Sequence, residues 1–316
     1  MKNSPGPDPV LRPFRRVAVL KGGPSSEREV SLRSGAAVAG GLREAGYEVV
    51  EVDVTQARLK LPAGIEAAFI ALHGAYGEDG GVQADLEKCG VPYVGSGPRS
   101  SLVAFDKRLT KAAFDAAGVA TPAWEVLSDP AARTLPLPVV LKPPCQGSSI
   151  GIHRVFRHAE WAAAFTDAVR YDGEVLVEDY LPGRELTVGI LGGEALPAVE
   201  IRAPRGYYDY VSKYTKGRTC YLVPAPLTGL ETRRARALGL AAFRALDCAG
   251  FGRTDIRLDS RGRMGVLEVN TIPGFTETSL LPKAAAAAGY SFAELCDRIM
   301  RSAALKGQAS RRMLRL

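Results

Sequence analysis

The residues best suited to chemistry lie late in the chain, in Gly252-Arg253-Thr254-Asp255 and Leu267-Glu268-Val269-Asn270. Side chains alternate along a strand, so Glu268 and Asn270 share one face while Leu267 and Val269 take the other. Arg253 sides with Asp255 by the same rule. If the two strands pair, one wall carries Asp255, Glu268 and Asn270 and the opposite wall is apolar. Three oxygen donors on a rigid wall suit Mg²⁺, and two neighbouring carboxylates need a cation to offset their repulsion. A half-exposed sheet with an acidic wet face gives the same string. Arg253 can hold a planar anion by a two-pronged contact or form a plain salt bridge, and the residue types leave both open.

A second group has the character of a phosphate cradle. Gln146-Gly147-Ser148-Ser149-Ile150-Gly151 follows a strand ending in Lys142. Small residues let backbone N–H groups converge on phosphate oxygens, and the serine hydroxyls add donors. No Gly-Lys-Ser/Thr closes the loop, so it is not a P-loop, and a tight hairpin would read alike. Lys142 adds a positive charge that a hairpin does not require. Glu178, at the end of a strand, can accept from a nucleobase amine, and Glu185 can hold ribose hydroxyls; carboxylates on a wet edge are the plain alternative.

Further upstream, His73-Gly-Ala-Tyr-Gly-Glu-Asp-Gly80 follows a buried strand, where open α/β sheets place ligands. His73 either bonds a substrate carboxylate or caps the turn. Glu27 opens a helix and either caps it or receives an ammonium group. Tyr207 to Tyr214 is too rich in tyrosine for an ordinary linker, and suits either a lid that excludes water or a surface hairpin.

These residues need elements to hold them. Residues 1–15 read as a flexible, proline-broken extension. Strand 17–20, a helix from Glu27 to Ala45, and strands at 48–54 and 67–72 make a βαβ unit with a parallel sheet, giving a first domain over 16–95. A helix from Arg99 to Ala117 then precedes strands at 123–127 and 138–142, a segment at 154–156, a helix at 159–169 and a strand at 174–178, within a central unit over 96–182. The last unit, 183–316, holds strands at 185–191, 196–201, 251–258 and 264–270 and helices at 230–246, 283–288 and 291–303, with a lid at about 203–220. The class is therefore α/β joined to α+β.

At 316 residues with 46% apolar content, the chain can build two or three cores. Five scattered cysteines fit neither a close-spaced metal site nor a disulfide scaffold, and point to a reducing, intracellular setting. No apolar run reaches membrane-spanning length or forms a signal peptide. The formal charge of +7 is spread along the chain apart from Lys306 to Arg315, which favours phosphate-bearing small molecules or a solvated surface over nucleic acid.

Six strings taken in order resemble the D-alanine–D-alanine ligase family of the ATP-grasp group. They are KGGPSSEREVSLRSG (21–35), ALHGAYGEDGGVQADLE (71–87), VLKPPCQGSSIGI (140–152), YYDYVSKYTKG (207–217), GRTDIRLD (252–259) and LEVNTIPGFTETSL (267–280). The resemblance implies an ATP-grasp fold with an N-terminal open parallel-sheet domain. It implies ligation of two D-alanines through D-alanyl phosphate, with ATP and Mg²⁺ or Mn²⁺, usually two ions. By resemblance, Glu27 holds the first ammonium group, with His73 beside the substrate carboxylates. Lys107, Lys142, Ser148 and Ser149 contact phosphates, while Glu178, Tyr180, Leu181 and Glu185 seat adenosine. Lys213 and Tyr214 belong to the lid, Arg253 and Gly274 stabilise the oxyanion, and Ser279 with Leu280 binds the second carboxylate. Asp255, Glu268 and Asn270 match the metal ligands.

Two positions depart from the family pattern. Gln146 stands where many members carry Glu, a position assigned to a network running through Ser148 to Tyr214, so a neutral amide would change that network's charge. Phe105 replaces a Met. Retention of Tyr214 favours an amine as second substrate. The resemblance further implies a homodimer in the bacterial cytoplasm, making a peptidoglycan precursor without nucleic-acid or membrane contact. The rival readings are another ATP-grasp carboxylate–amine ligase, a D-Ala–D-Ser ligase among them, and a non-catalytic nucleotide-binding protein.

Overall fold

Val17, Ala18, Val19 and Leu20 are all fully buried, because the strand that carries them lies in the middle of a sheet covered on both faces. The computed structural model describes residues 12–203, 219–276 and 278–307. In it, β1 (Arg16–Gly22) runs parallel to β2 (Glu48–Val54) on one side and β3 (Ala67–Ile70) on the other. The crossover helix α1 (Arg28–Glu44) buries Val38, Ala39 and Leu42 against this sheet. The expected βαβ unit is present. The Gly-rich segment after His73 leads into a helix that the sequence reading passed over, α2 (Gly81–Cys89), with left-handed glycines, Gly80 and Gly90, at its two ends.

The helix expected from Arg99 to Ala117 is two helices, α3 (Pro98–Phe105) and α4 (Lys107–Ala116). Asp106 between them is extended, with φ −84° and ψ 108°, and its carboxylate accepts the Arg108 N–H as the N-cap of α4. Apolar periodicity runs through such a break, so pattern alone does not show it. The break matters because it puts Lys107 in the first turn of α4, with its ammonium turned inward.

A second sheet, ordered β4-β7-β5-β6, is wholly antiparallel: β4 (Trp124–Leu127), β5 (Val139–Lys142), β6 (His153–Val155) and β7 (Val175–Asp179). Helix α5 (His158–Asp172) covers one face through Ala164, Phe165 and Ala168, packed on Leu141, Val155 and Val177. That leaves the face carrying Lys142 and Glu178 for the site.

The third sheet is ordered β11-β10-β8-β12-β13, with β9 paired to β8: β8 (Arg184–Leu191), β9 (Glu194–Ala195), β10 (Val199–Arg202), β11 (Cys220–Leu222), β12 (Phe251–Leu258) and β13 (Met264–Asn270). Of the strand expected over 196–201, only the part from Val199 forms, as β10; Leu196–Ala198 lie outside it, and Pro197 has no N–H to give a ladder. Helix α6 (Gly229–Ala245) begins with a Thr228–Glu231 capping box and lies on β8 and β12. Helix α7 (Leu280–Ala287) packs on β8, and α8 (Phe292–Arg301) returns to the first sheet, packing on α1 and β3. Phe69, Phe251 and Phe275 meet there at ring-centroid distances of 5.5–5.9 Å, joining the parallel sheet to β12 and to the loop that carries Gly274.

Gly183 is a place where backbone conformation is forced. It has φ +116°, and a Cβ there would lie 2.2 Å from the Leu258 carbonyl oxygen. Its own carbonyl accepts from Arg257 Nη2 at 2.9 Å. Gly183→Ala is expected to lower stability by roughly 1–3 kcal/mol through backbone strain and that contact. Urea unfolding measures this, and an unchanged midpoint would contradict the account.

Candidate active site

Two cavities meet along the end of the third sheet. The larger, about 620 Å³, is bounded by Glu27, His73, Lys107, Arg253, Gly274 and Ser279 among others. The smaller, about 100 Å³, is bounded by Lys142, Glu178, Tyr180, Leu181, Glu185 and Asp255 among others. Ser149, Ile152 and Glu268 border both. Every described residue expected to bind an amino acid thus borders the large cavity, and the adenosine-type residues border the small one. The phosphate-type loop and one metal-type carboxylate form their junction. Lys213 and Tyr214 lie outside the described residues.

The acidic wall forms as the alternation rule predicts, up to one residue. β12 and β13 pair antiparallel with Arg253 opposite Asn270 and Asp255 opposite Glu268. Arg253 grips Asp255 with two bonds, Nε to Oδ1 and Nη2 to Oδ2, both 2.8 Å. Asn270 Nδ2 donates to Asp255 Oδ2 at 3.2 Å, which turns its amide toward the same carboxylate. A register shift falls between Asp255 and Ile256. Such a bulge gives one strand an extra residue and re-aims its side chains. Leu267 consequently borders the small cavity, not the apolar wall where alternation put it, while Val269 stays in the core.

The donor set suits a hard divalent cation. Asp255 and Glu268 are like charges directly opposite each other, an arrangement that is unfavourable without a cation between or beside them. Two carboxylates and an amide oxygen are the ligand types Mg²⁺ takes, with phosphate and water completing its shell. Among the described residues no three His, Cys, Asp or Glu side chains converge to hold a softer metal.

The loop after Lys142 is held from three sides. Lys107 Nζ donates to the Gln146 carbonyl at 2.7 Å. Asp172, at the end of α5, accepts from the Cys145 N–H at 2.8 Å and from Gln146 Nε2 at 3.1 Å. Ser148 donates to Glu27. Ser148 and Ser149 have φ of 50° and 62°, the left-handed region that L-residues enter rarely and at a cost. These bonds keep the turn there. They also correct the network inferred at position 146: the carboxylate on Ser148 is Glu27, and Gln146 faces Asp172. An amide in that place donates to Asp172, where a second carboxylate would oppose it.

Glu27 occupies the N-cap position of α1, but its side chain makes no capping bond. It reaches the loop, so of its two readings the cap is excluded. His73 is buried between Ser34 Oγ at 3.2 Å and Glu78 Oε1 at 3.3 Å. Burial pushes the Glu78 carboxyl above its ordinary range, with His73 opposing. Ser279 is the N-cap of α7 yet leaves the helix uncapped, its Oγ accepting the Thr276 N–H at 3.0 Å. Gly274 lies close by, with room for a Cβ 3.4 Å from Ser279 Oγ.

Four contributors escaped the sequence reading. Arg257 donates to Leu181 O, Gly183 O and Glu185 Oε2 at 3.2, 2.9 and 3.2 Å, fixing the floor of the small cavity. Its place two residues after Asp255 was the available signal. Glu78 could have been read from its position in the His73 loop. Asp172 had no local signal. Lys111, one turn after Lys107, pairs with Glu178 beneath the small cavity, and its i+4 spacing was the signal. Burial lowers the proton affinity of both Lys107 and Lys111, with Glu268 and Glu178 among the groups opposing it.

The family model described as D-ala D-ala ligase C-terminus matches residues 115–301, and that described as D-ala D-ala ligase N-terminus matches 54–96. A D-alanine–D-alanine ligase of Methylacidiphilum infernorum is 47% identical over 295 residues, covering 93% of this chain and 97% of its own. The crystal structure of a Bacillus anthracis D-alanine–D-alanine ligase complexed with ATP is 32% identical with a TM-score of 0.80, covering 95% of this chain and 99% of that one. A D-Ala:D-Ser ligase from Enterococcus faecalis is 27% identical with a TM-score of 0.79, covering 90% and 98%.

Lys107 Nζ spends a donor on the Gln146 carbonyl and so holds the phosphate-type loop. Lys107→Met is therefore expected to raise the KM for ATP about tenfold, the scale of one charged hydrogen bond, with the D-alanine KM little changed. Steady-state kinetics with each substrate varied separate the two. An equal rise in both would show that Lys107 holds the whole site and not the loop.

Proposed function

The chain belongs to the D-alanine–D-alanine ligase family, and from that premise we propose how its own residues join two D-alanines with ATP to give the dipeptide for peptidoglycan synthesis. The observation that carries the proposal is the shared border of the two cavities at Ser149, Ile152 and Glu268. Adenosine enters the small cavity against Glu178, Tyr180, Leu181 and Glu185. The triphosphate then passes Lys142, Lys107 and the 146–151 loop. The two amino acids occupy the large cavity, the first with its ammonium group at Glu27 and its carboxylate near His73, the second with its carboxylate at Ser279 and the Leu280 N–H.

A carboxylate oxygen of the first D-alanine attacks the γ-phosphorus of ATP. An O–P bond forms, the bond to the β-phosphate oxygen breaks, and ADP leaves. The amine of the second D-alanine, after losing a proton, attacks the acyl carbon. A C–N bond forms and inorganic phosphate departs with its oxygen. Both steps gather negative charge, so the chain's part is to supply preorganised donors: Lys107 and Lys142 at the phosphates, Arg253 and the Gly274 N–H at the acyl oxygen. Asp255, Glu268 and Asn270 would hold Mg²⁺ or Mn²⁺, which when bound neutralises the transferring phosphoryl group. Lys213 and Tyr214, by family resemblance, complete the site from the lid.

The limits at about residues 95 and 182 are our division of the chain into units, and the three separate sheets support it. A bacterial cytoplasmic setting fits the use of ATP and the five free cysteines; no helix among the described residues is long and apolar enough to cross a membrane. A homodimer rests on the family resemblance.

ATP-dependent phosphate release with D-alanine, D-serine, D-lactate and L-alanine, with product masses, tests the reading. D-alanine is expected to give D-alanyl-D-alanine. A larger release with D-serine as second substrate would transfer the site to the mixed ligases, and no release with any of them would sink the reading. Arg253→Ala is expected to lower kcat by about 10²–10³, the scale of one lost oxyanion donor, while ATP affinity by calorimetry stays within about threefold. Parallel losses in both would remove Arg253 from the acyl-transfer role.

A further inference from the structure

Glu178 is only 1% exposed and Lys111 is 0% exposed, yet Lys111 borders neither cavity. The carboxylate is held between two ammonium groups, Lys111 on Oε1 and Lys142 on Oε2. These come from different elements, α4 and β5, and the two lysines have different prospects. Lys142 borders the small cavity next to the phosphate-type loop. Lys111 is enclosed. It donates to Thr121 Oγ1 and lies 3.4 Å from the Val266 carbonyl, and Thr121 itself donates to that carbonyl at 2.7 Å. It is thus pinned to β13, the strand that carries Glu268 and Asn270.

When a triphosphate lies along the loop, its charge competes for Lys142. An ammonium group close to several phosphate oxygens is better compensated there than beside a single carboxylate. Glu178 would then be left in a dry cavity with one cation. A buried carboxylate with no compensating charge takes up a proton and ceases to be a pure acceptor. Lys111 is on the Glu178 Oε1 and Lys142 on its Oε2, so departure of Lys142 leaves Oε2 open to a donor from a ligand while Lys111 keeps Oε1.

We propose that Lys111 is a positioning residue for nucleotide selection: it holds the Glu178 carboxylate as an acceptor for the exocyclic amine of adenine after the triphosphate has drawn Lys142 away. The proposal rests on the adenosine reading of the small cavity given above. Burial pushes the Glu178 carboxyl up, but the charges of Lys111 and Lys142 together outweigh it and leave the group below its ordinary range. Arg154, Glu185 and Arg257 border the same small cavity, and Lys107 and Glu268 add charge from α4 and β13. Loss of Lys142 to the phosphates makes Lys111 the nearest remaining source of the opposing charge.

The distinguishing measurement is the preference for ATP over inosine triphosphate, which carries a carbonyl where adenine carries the amine. An ionised Glu178 accepts from the amine and repels the carbonyl, whereas a protonated one can donate to the carbonyl. With the full-length enzyme and saturating D-alanine, Lys111→Met is expected to lower the ratio of kcat/KM values about tenfold or more, the scale of one charged hydrogen bond. Lys111→Arg, which keeps the cation, should hold the ratio close to that of the parent. Glu178→Gln should collapse it as Lys111→Met does, because an amide can donate. If Lys111→Met does not fold, Lys111→Gln carries the same contrast, since it keeps a donor without the charge.

If Glu178→Gln collapses the ratio but the neutral Lys111 variants slow both nucleotides by one common factor, Lys111 is structural only and the proposal fails while the adenosine reading stands. If Glu178→Gln leaves the ratio intact, the adenosine reading fails and takes the proposal with it.

Discussion

Repulsion between a carboxylate and a triphosphate is the constraint to which the rest of this structure answers. At an effective dielectric of about 20, two unit charges 4 Å apart cost about 4 kcal/mol, and a triphosphate brings several. No flexible arrangement of surface lysines meets that demand, since side chains that must be ordered at the moment of reaction lose entropy and are screened by water. The chain answers with buried cations whose positions are fixed before ligands arrive. Lys107 is bonded to a carbonyl, Lys111 is enclosed, Lys142 is paired with Glu178, and Arg253 is clamped on Asp255. Each positive charge has an internal partner that makes its burial tolerable and that a ligand can replace or share.

Fixing those cations explains features that otherwise look unrelated. The interruption at Asp106 starts a new helix so that Lys107 and Lys111, four residues apart, both face inward from α4. The bulge in β13 brings Leu267 over the small cavity as an apolar wall while leaving Asp255 opposite Glu268. Arg257, two residues beyond Asp255 on the same strand, spends its donors on the backbone at Leu181 and Gly183, and so shapes the cavity without entering the chemistry. A single strand, β12, therefore carries a proposed oxyanion donor, a metal-type ligand and a structural clamp at alternate positions. Alternation along one rigid strand keeps their spacing constant.

What was legible in the sequence follows from how local each signal is. Val17–Leu20, the helix after Glu27 and the two strands bearing Asp255 and Glu268 announce themselves by periodicity, and, Leu267 apart, the faces named for the two strands come out as alternation requires. The split at Asp106 did not, because an N-cap inside an apolar repeat changes two backbone angles and leaves the pattern whole. Leu267 was assigned to the wrong wall because one extra residue in a strand shifts every face after it. Lys111 and Asp172 act through partners 67 and 26 residues away at Glu178 and Gln146; the i+4 spacing from Lys107 marks Lys111's helix face but not its partner, and Asp172 has no local mark at all. The assignment of position 146 to the Ser148 network failed for a similar reason. Which carboxylate reaches Ser148 is decided by how the first sheet packs on the second, and the answer, Glu27, comes from 121 residues upstream.

The Glu27–Ser148 contact ties the start of α1 to the phosphate-type loop across the border of the large cavity. Glu27 stands at the N-terminus of α1, where the helix dipole and free N–H groups favour a negative charge. Ser148 stands in a left-handed turn that relaxes unless its neighbours hold it. The group expected to receive the first substrate's ammonium is thus one of the restraints on the loop expected to receive phosphate, with Lys107 and Asp172 as the others. By family resemblance, an ammonium arriving at Glu27 would compete with the serine hydroxyl for that carboxylate.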